Sequence, residues 1–240
     1  MASYVDRSFV AIARLATPPE VEASFLGPDL GLTPYETRQK LASALPAIVL
    51  STTDAAAATA LVTKLRHRGH RALLVRAASV TPASRMVQVR SFTLDADALT
   101  TDRDALPWDD IHAIVRAKVR TQTDATETVK EKKFDLGRAV MTGGLVMRKT
   151  SSKEVHTQRE TSEQVLYLFR ASGETPWILR EQRTNYSGLG DQAAATANLN
   201  IGITCTALRA RAYNARYDET LLRRPGIDDP DLYAYLISLG

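Results

Sequence analysis

The segment Ala77–Arg85, AASVTPASR, separates two kinds of apolar patterning, and that change restricts the fold more than any other feature of the chain. Before it, short apolar runs alternate with stretches whose apolar residues recur at helical spacing. After it, apolar residues mostly alternate with period two. A small, polar segment containing Pro82 suits a connection between the two. The expected class is α+β. A small α/β sandwich is expected over residues 1–78, a mainly antiparallel β domain capped by a C-terminal helix over 85–217, and a tail over 218–240.

In the first part, Ser8–Leu15 (SFVAIARL) reads as a strand with two fairly apolar faces. A short helical piece follows Pro18-Pro19, from Glu20 to Leu26. Thr33, Pro34 and Glu36 then form a capping-box signature, which predicts a helix to about Ser43. Ala47–Ser51 is a short buried strand. Thr53 or Asp54 opens an alanine-rich helix whose buried face is Ala58, Leu61, Val62 and Leu65. Gly69 ends it as a left-handed residue, and Arg71–Ala77 is the next strand.

The residues Gly31-Leu32, ETRQKL at Glu36–Leu41, Leu45-Pro46 and KLRHRGHRALLV at Lys64–Val75 carry a resemblance. Over Phe9–Val75 the chain resembles the C-terminal domain of the stalk protein of the bacterial large ribosomal subunit. That resemblance implies a sheet covered by helices on one face.

In the second part, Arg85–Leu94 alternates as a strand, Asp95–Ala98 is a turn, and Leu99–Thr101 starts the return. A strand from Ile111 sets Val115, Ala117 and Val119 on one face and Arg116, Lys118 and Arg120 on the other. Further strands fit Thr123–Phe134, Lys149–Glu160, Gln164–Phe169 and Trp177–Asn185. Ala193–Arg211 reads as one helix with Leu199, Ile203 and Ala207 beside Leu208. The pieces FTLDADALTTD, LPWDDIHAIV, VLYLF and WILREQ, followed by that helix, resemble a bacterial pleckstrin-homology-like domain over Arg85–Tyr217. Phosphoinositide-binding members of that family carry basic residues at the first hairpin loop. Here that loop is the acidic LDADAL, so the resemblance implies an interaction module without the usual headgroup site.

Chemistry has little to work with. One cysteine, Cys205, excludes an internal disulfide and a cysteine-cluster metal site, and it reads as a small core residue. His67 and His70 lie among arginines at a helix end, where a solvated or capping role is expected. Asp109-Asp110-Ile111-His112 matches no metal-ligand spacing and reads as a surface loop. His156 has no partner in view. Thr142-Gly143-Gly144 is followed by Leu145-Val146 rather than Lys-Ser/Thr, so it is no P-loop. No catalytic residue, metal ligand, cofactor or small-molecule substrate is expected. The strand at Arg71–Ala77 offers no aromatic platform for single-stranded nucleic acid. With no long apolar run and a poor signal-peptide pattern at the N-terminus, a cytoplasmic protein is expected.

Charge is not evenly spread. Residues 116–160 hold eleven Lys or Arg against six Asp or Glu, a net +5, whereas the whole chain is +4. Inside this basic stretch lies the apolar segment Phe134–Met147, between two polar, threonine-rich segments. A projecting hairpin over 121–161 is expected, with its tip as a contact surface. The expected contact residues are Phe134, Leu136, Val140, Met141, Leu145, Val146 and Met147. Arg116, Lys118, Arg120, Lys132, Lys133, Arg148 and Lys149 are the candidates for an anionic partner. The readings in order are packing or self-association, another protein, then an anionic membrane surface, with nucleic acid behind them.

Overall fold

The computed structural model describes residues 4–42, 46–134, 148–224 and 226–240, with residues 4 and 121–161 described by backbone alone. Strand β1 (Ser8–Arg14) lies at the centre of a three-stranded sheet, between β2 (Ala47–Thr52) and β3 (Arg71–Arg76). Both neighbours run antiparallel to it. Period two then decides what each face buries. Val10 and Ile12 pack under α1 (Pro19–Leu30), α2 (Pro34–Ala42) and α3 (Ala55–His67), against Leu26, Leu41, Ala58, Leu61, Val62 and Leu65.

Local chemistry sets the helix ends. The Thr33 backbone N–H donates to the Glu36 carboxylate at 2.8 Å, and the Glu36 N–H donates to Thr33 Oγ1 at 3.3 Å. This is the reciprocal capping box. The Asp54 carboxylate accepts from the Ala56 and Ala57 amides at 2.9 and 3.0 Å, closing orphan donors at the start of α3. Beyond the other end of α3, Gly69 turns the chain with φ +85°, a conformation open to glycine.

A second sheet has the order β11–β8–β9–β10–β4. Its strands are β4 (Val87–Gln88), β8 (Ile111–Phe134), β9 (Arg148–Arg170), β10 (Trp177–Arg180) and β11 (Arg216–Asp218). β9 and β10 are antiparallel, whereas β4 joins β10 and β11 joins β8 in parallel. A third, antiparallel sheet is formed by β5 (Thr93–Leu94), β6 (Ala98–Thr100) and β7 (Ala105–Pro107).

The single strand expected over Arg85–Leu94 is split into β4 and β5. The backbone between them is held elsewhere: Thr184 Oγ1 donates to the Val89 carbonyl, and the Asn185 amide donates to the Arg90 carbonyl at 2.7 Å. The chain also passes close to Gly188, where an added Cβ would lie 1.9 Å from the Phe92 oxygen. Only glycine permits that approach.

One face of the second sheet is covered by α4 (Ala197–Arg211), through Ile201, Cys205 and Leu208 against Ile114, Leu166, Leu168, Trp177 and Leu179. The helix begins four residues later than its pattern predicts. Its buried face also differs from the expected one: Asn200, Ile201, Thr204, Cys205 and Leu208 are buried, and Leu199 is 57% exposed.

The opposite face is covered by α5 (Pro230–Leu239), through Ala234 and Ile237 against Ala113, Val115, Val165, Tyr167 and Ile178. Leu232 and Leu236 of the same helix pack on Phe9, Ala11, Val75 and Ala77, the face of the first sheet that α1–α3 leave open. Residues 218–240, read from the sequence as a tail, thus include a helix shared by two sheets. The run LYAYLISL is apolar on all sides, which is the pattern of a buried helix. Asp231 ties it down: its carboxylate accepts from the Ala83 amide at 2.7 Å and from the Tyr167 hydroxyl at 2.9 Å.

Two compact units result, residues 1–119 with 163–240, and residues 120–162. The segment Ala77–Arg85 lies inside the first unit, where α5 bonds to it and packs on both of its sides. The class is α+β. Among the described residues, no helix is long and apolar enough to cross a membrane.

Candidate interaction surface

β8 and β9 change character along their length. At its start β8 carries Ile111, Ala113, Ile114, Val115 and Ala117, each at most 1% exposed. β9 ends with Val165, Leu166, Tyr167, Leu168 and Phe169, each at most 3% exposed. Between these core segments, residues 120–133 hold only Ala125 and Val129 as aliphatic residues, and residues 148–162 only Val155. The backbone nevertheless stays extended through Phe134 and resumes at Arg148. Threonine, abundant here, favours that conformation through its branched Cβ.

The neighbours of these strands are short. β11 meets β8 only at Ala113–Val115, and β10 meets β9 only at Val165–Leu168. In the described sheet β8 and β9 are neighbours of each other, with β11 on the far side of β8 and β10 on the far side of β9.

The candidate contact residues divide accordingly. Arg116 lies in the first unit, half-buried, and its guanidinium donates twice to Gln164 Oε1, at 2.9 and 2.6 Å. It braces β8 against β9, and its packing beside Gly202 of α4 makes it more a structural group than a free cation. Lys118 and Arg120 are exposed. Lys132, Lys133 and Phe134 lie on β8, and Arg148 and Lys149 on β9. Leu136, Val140, Met141, Leu145, Val146 and Met147 lie outside the described residues.

Elsewhere the structure corrects the reading of two histidines. His70 is not solvated but 3% exposed. Its Nδ1 accepts the Ala16 amide at 3.0 Å, and its Nε2 lies 3.2 Å from Glu22 Oε2. Glu22 has no exposed side-chain surface and receives two bonds from Arg68, at 2.7 and 2.8 Å, and one from Thr17. Burial raises the affinity of Glu22 for a proton, but Arg68, His70 and Thr17 outweigh it and hold the carboxyl below its usual range. Glu22 and His70 are enclosed while Arg68 is part-exposed, and the cluster has the make-up of a structural tie.

His112 is half-buried and lines a cavity of about 390 Å³ with Phe169, Tyr235 and Ser238. Its Nδ1 has no hydrogen-bond partner among the described residues. Asp110, in the same quartet, is engaged by Arg170 at 2.6 Å and by the Ser172 amide at 2.8 Å. Burial opposes ionisation of Asp110, yet these donors hold its pKa below the ordinary carboxylate value. Cys205 is buried, and burial raises its thiol pKa, which suppresses the thiolate a nucleophile requires. Among the described residues no group of three or more His, Cys, Asp or Glu is placed to hold a metal ion.

Sequence reasoning missed the single run of β8 through Phe134, the buried Glu22–Arg68–His70 cluster and the double role of α5. The long strand had a signal: strand-forming threonines persist where apolar alternation stops. The cluster had none, because nothing in the sequence links positions 22 and 70. No family model, curated protein or solved structure matches the chain.

Proposed function

We propose that the chain is a non-catalytic interaction or scaffold protein of the cytoplasm, which uses the β8–β9 element and its apolar segment Phe134–Met147 to bind a second copy of itself or another protein. The observation that carries this reading is the length of β8 and β9, 24 and 23 residues, against the three and four residues of their neighbours β11 and β10. Between Val119 and Glu163 these strands have almost no apolar pattern of their own. They gain a role by presenting what lies between them. That segment offers Phe134, Leu136, Val140, Met141, Leu145, Val146 and Met147 within fourteen residues, flanked by Lys132, Lys133, Arg148 and Lys149. Burying each large apolar side chain contributes about 1.5–3 kcal/mol, more than one or two exposed ion pairs. The flanking cations orient a partner more than they add affinity.

Two finer fold readings belong to the same proposal. The order strand, two helices, strand, helix, strand over residues 8–76 supports a stalk-domain-like sandwich. A sheet followed by the covering helix α4 supports a pleckstrin-homology-like body, and the parallel pairings of β4 and β11 count against it.

Light scattering across micromolar concentrations tests the function. The wild type should be larger than a monomer, and Leu145→Asp with Met147→Asp should reduce association while the cooperative unfolding of the remainder is kept, because a charge would be buried without a partner. A wild type that stays monomeric, with a double variant that unfolds, would place the segment in an internal core. Sedimentation with anionic vesicles, lost in high salt, would replace the reading by a peripheral membrane adaptor. A salt-dependent shift with nucleic acid, and none with vesicles, would replace it by a nucleic-acid binder.

A further inference from the structure

We propose that the cavity between α5 and the second sheet binds a small, uncharged, planar heteroaromatic molecule through His112 Nδ1. Every residue that lines this cavity belongs to the first unit, and none lies within 120–162, so the proposal goes beyond the interaction reading and stands independently of it.

The first observation is a single atom. His112 Nδ1 is buried and has no hydrogen-bond partner among the described residues. Folded proteins pair nearly all such groups, and one left over marks a place where a further molecule can bond. Of the four cavities described, this is the one whose lining holds such an atom. At about 390 Å³ it has the ordinary size of a small-molecule site.

The second is the wall. The Phe169 ring lies 6.3 Å from that of His112, tilted by 53°, and 6.2 Å from that of Tyr235, tilted by 50°. Rings set at such angles receive a flat guest by offset or edge-to-face contact. His112 comes from the start of β8, Phe169 from the end of β9 and Tyr235 from α5, so the guest touches all three elements.

The third is charge. Arg170 lines the cavity, but its guanidinium already pairs with Asp110 at 2.6 Å and with Glu174. One cation against two carboxylates leaves no positive charge to spare, and an anionic ligand would be repelled.

The hydroxyls in the lining set the rest of the pattern. Ser79 and Ser238 donate to the carbonyls of Arg76 and Tyr235, each at 2.7 Å, so what they retain is acceptor capacity. A ring N–H on the ligand suits them. Imidazole Nδ1 donates in one tautomer and accepts in the other, so a second ring nitrogen on the ligand can pair with it.

Benzimidazole carries both nitrogens and is the probe. It is titrated into the isotope-labelled full chain and followed by NMR, with indene and benzimidazole carboxylate as controls. Benzimidazole should give saturable shifts at His112, Phe169, Tyr235 and Ser238, including the His112 ring nitrogens. Indene has the same outline without nitrogen. At equal sub-saturating concentration, indene and the carboxylate should each occupy the site about tenfold less, a factor of the size that one hydrogen bond carries. The thermal midpoint should rise with benzimidazole concentration, as for any ligand held by the folded state alone. His112→Phe keeps a ring and removes Nδ1, and it should abolish the preference for benzimidazole over indene.

The absence of saturable shifts at these four residues would overturn the proposal. An equal response to indene would do so by making the cavity merely apolar, and a stronger response to the carboxylate by making it an anion site. A preference retained in His112→Phe would remove Nδ1 as the recognising atom. Should that variant fail to fold, the three probes on the wild-type chain decide alone.

Discussion

Glu22 is a carboxylate with no exposed surface, and its neighbours decide what that means. Arg68 binds it twice, Thr17 once, and His70 faces it at 3.2 Å. Its folded pKa is depressed below the usual 4.5 despite burial. The linked stability is therefore fully present above about pH 4.5 and is lost as pH falls through the folded value. Glu22→Gln should flatten the acid limb of a stability-against-pH curve measured by urea unfolding, with little change in its shape above pH 6. Glu22→Ala should reduce stability by about 3 kcal/mol, at the low end for a broken buried pair because Arg68 can turn toward water. At the start of α2, Thr33→Ala should remove about 1 kcal/mol by opening the capping box. The two sites differ in legibility. Thr33 and Glu36 are three residues apart, so their contact is written in the sequence. Glu22 and His70 are brought together only by the tertiary fold, in which the Ala16 amide just ahead of α1 donates to His70 Nδ1, and no local pattern encodes that. The sequence accordingly suggests a solvated or capping role for His70.

Helix faces show the same boundary between local and tertiary information. On α3 the apolar residues Ala58, Leu61, Val62 and Leu65 are the only large or central candidates at helical spacing, and all four are buried. On α4 the buried face includes Asn200 and Thr204, whose polarity hides it from an apolar count. Both are satisfied locally. The Asn200 side chain accepts from the Ala194 amide at 2.6 Å and donates to the Ala194 carbonyl at 3.0 Å. The Thr204 hydroxyl donates to the Asn200 carbonyl at 2.8 Å. A polar group so bonded enters a core at little net loss, so Leu199 is left outside. For α5 the apolar run was visible but its two-sided burial was not, since that depends on two sheets meeting. The consequence is testable. Leu236 has no exposed surface and packs on Phe9, Ala11 and Val75, so Leu236→Ala should reduce stability by about 2–5 kcal/mol. Removing residues 229–240 should go further. Hydrogen exchange should show lost protection in β1 and β3 and also in the starting segment of β8 and the end of β9. Protection lost on one side alone would mean that α5 serves a single core. Residues 1–78 expressed alone expose the apolar face of Phe9, Ala11, Val75 and Ala77, and should aggregate or unfold for that reason.

For the whole molecule the division that matters runs across β8 and β9 rather than along the chain. The first unit keeps Ile111–Val119 of β8 and Glu163–Arg170 of β9 in its sheet, where they bury the largest apolar side chains of the second core. The second unit is Arg120–Ser162. Removing residues 121–161 and joining Arg120 to Ser162 through a short Asn-Gly turn should therefore leave the first unit folded. A two-residue turn of that type suits antiparallel strands, and shortening the loop contributes a small entropic gain, about 0.6 kcal/mol for each halving of loop length. Thermal unfolding followed by near-ultraviolet circular dichroism, which reports the buried Trp177 and Tyr167, should stay a single cooperative transition with a midpoint within a few degrees of the full chain. The same variant should be monomeric by light scattering. If the transition broadens or disappears, the second unit is part of the folding core, and its polar strands must be explained as structure rather than as a surface held out for a partner.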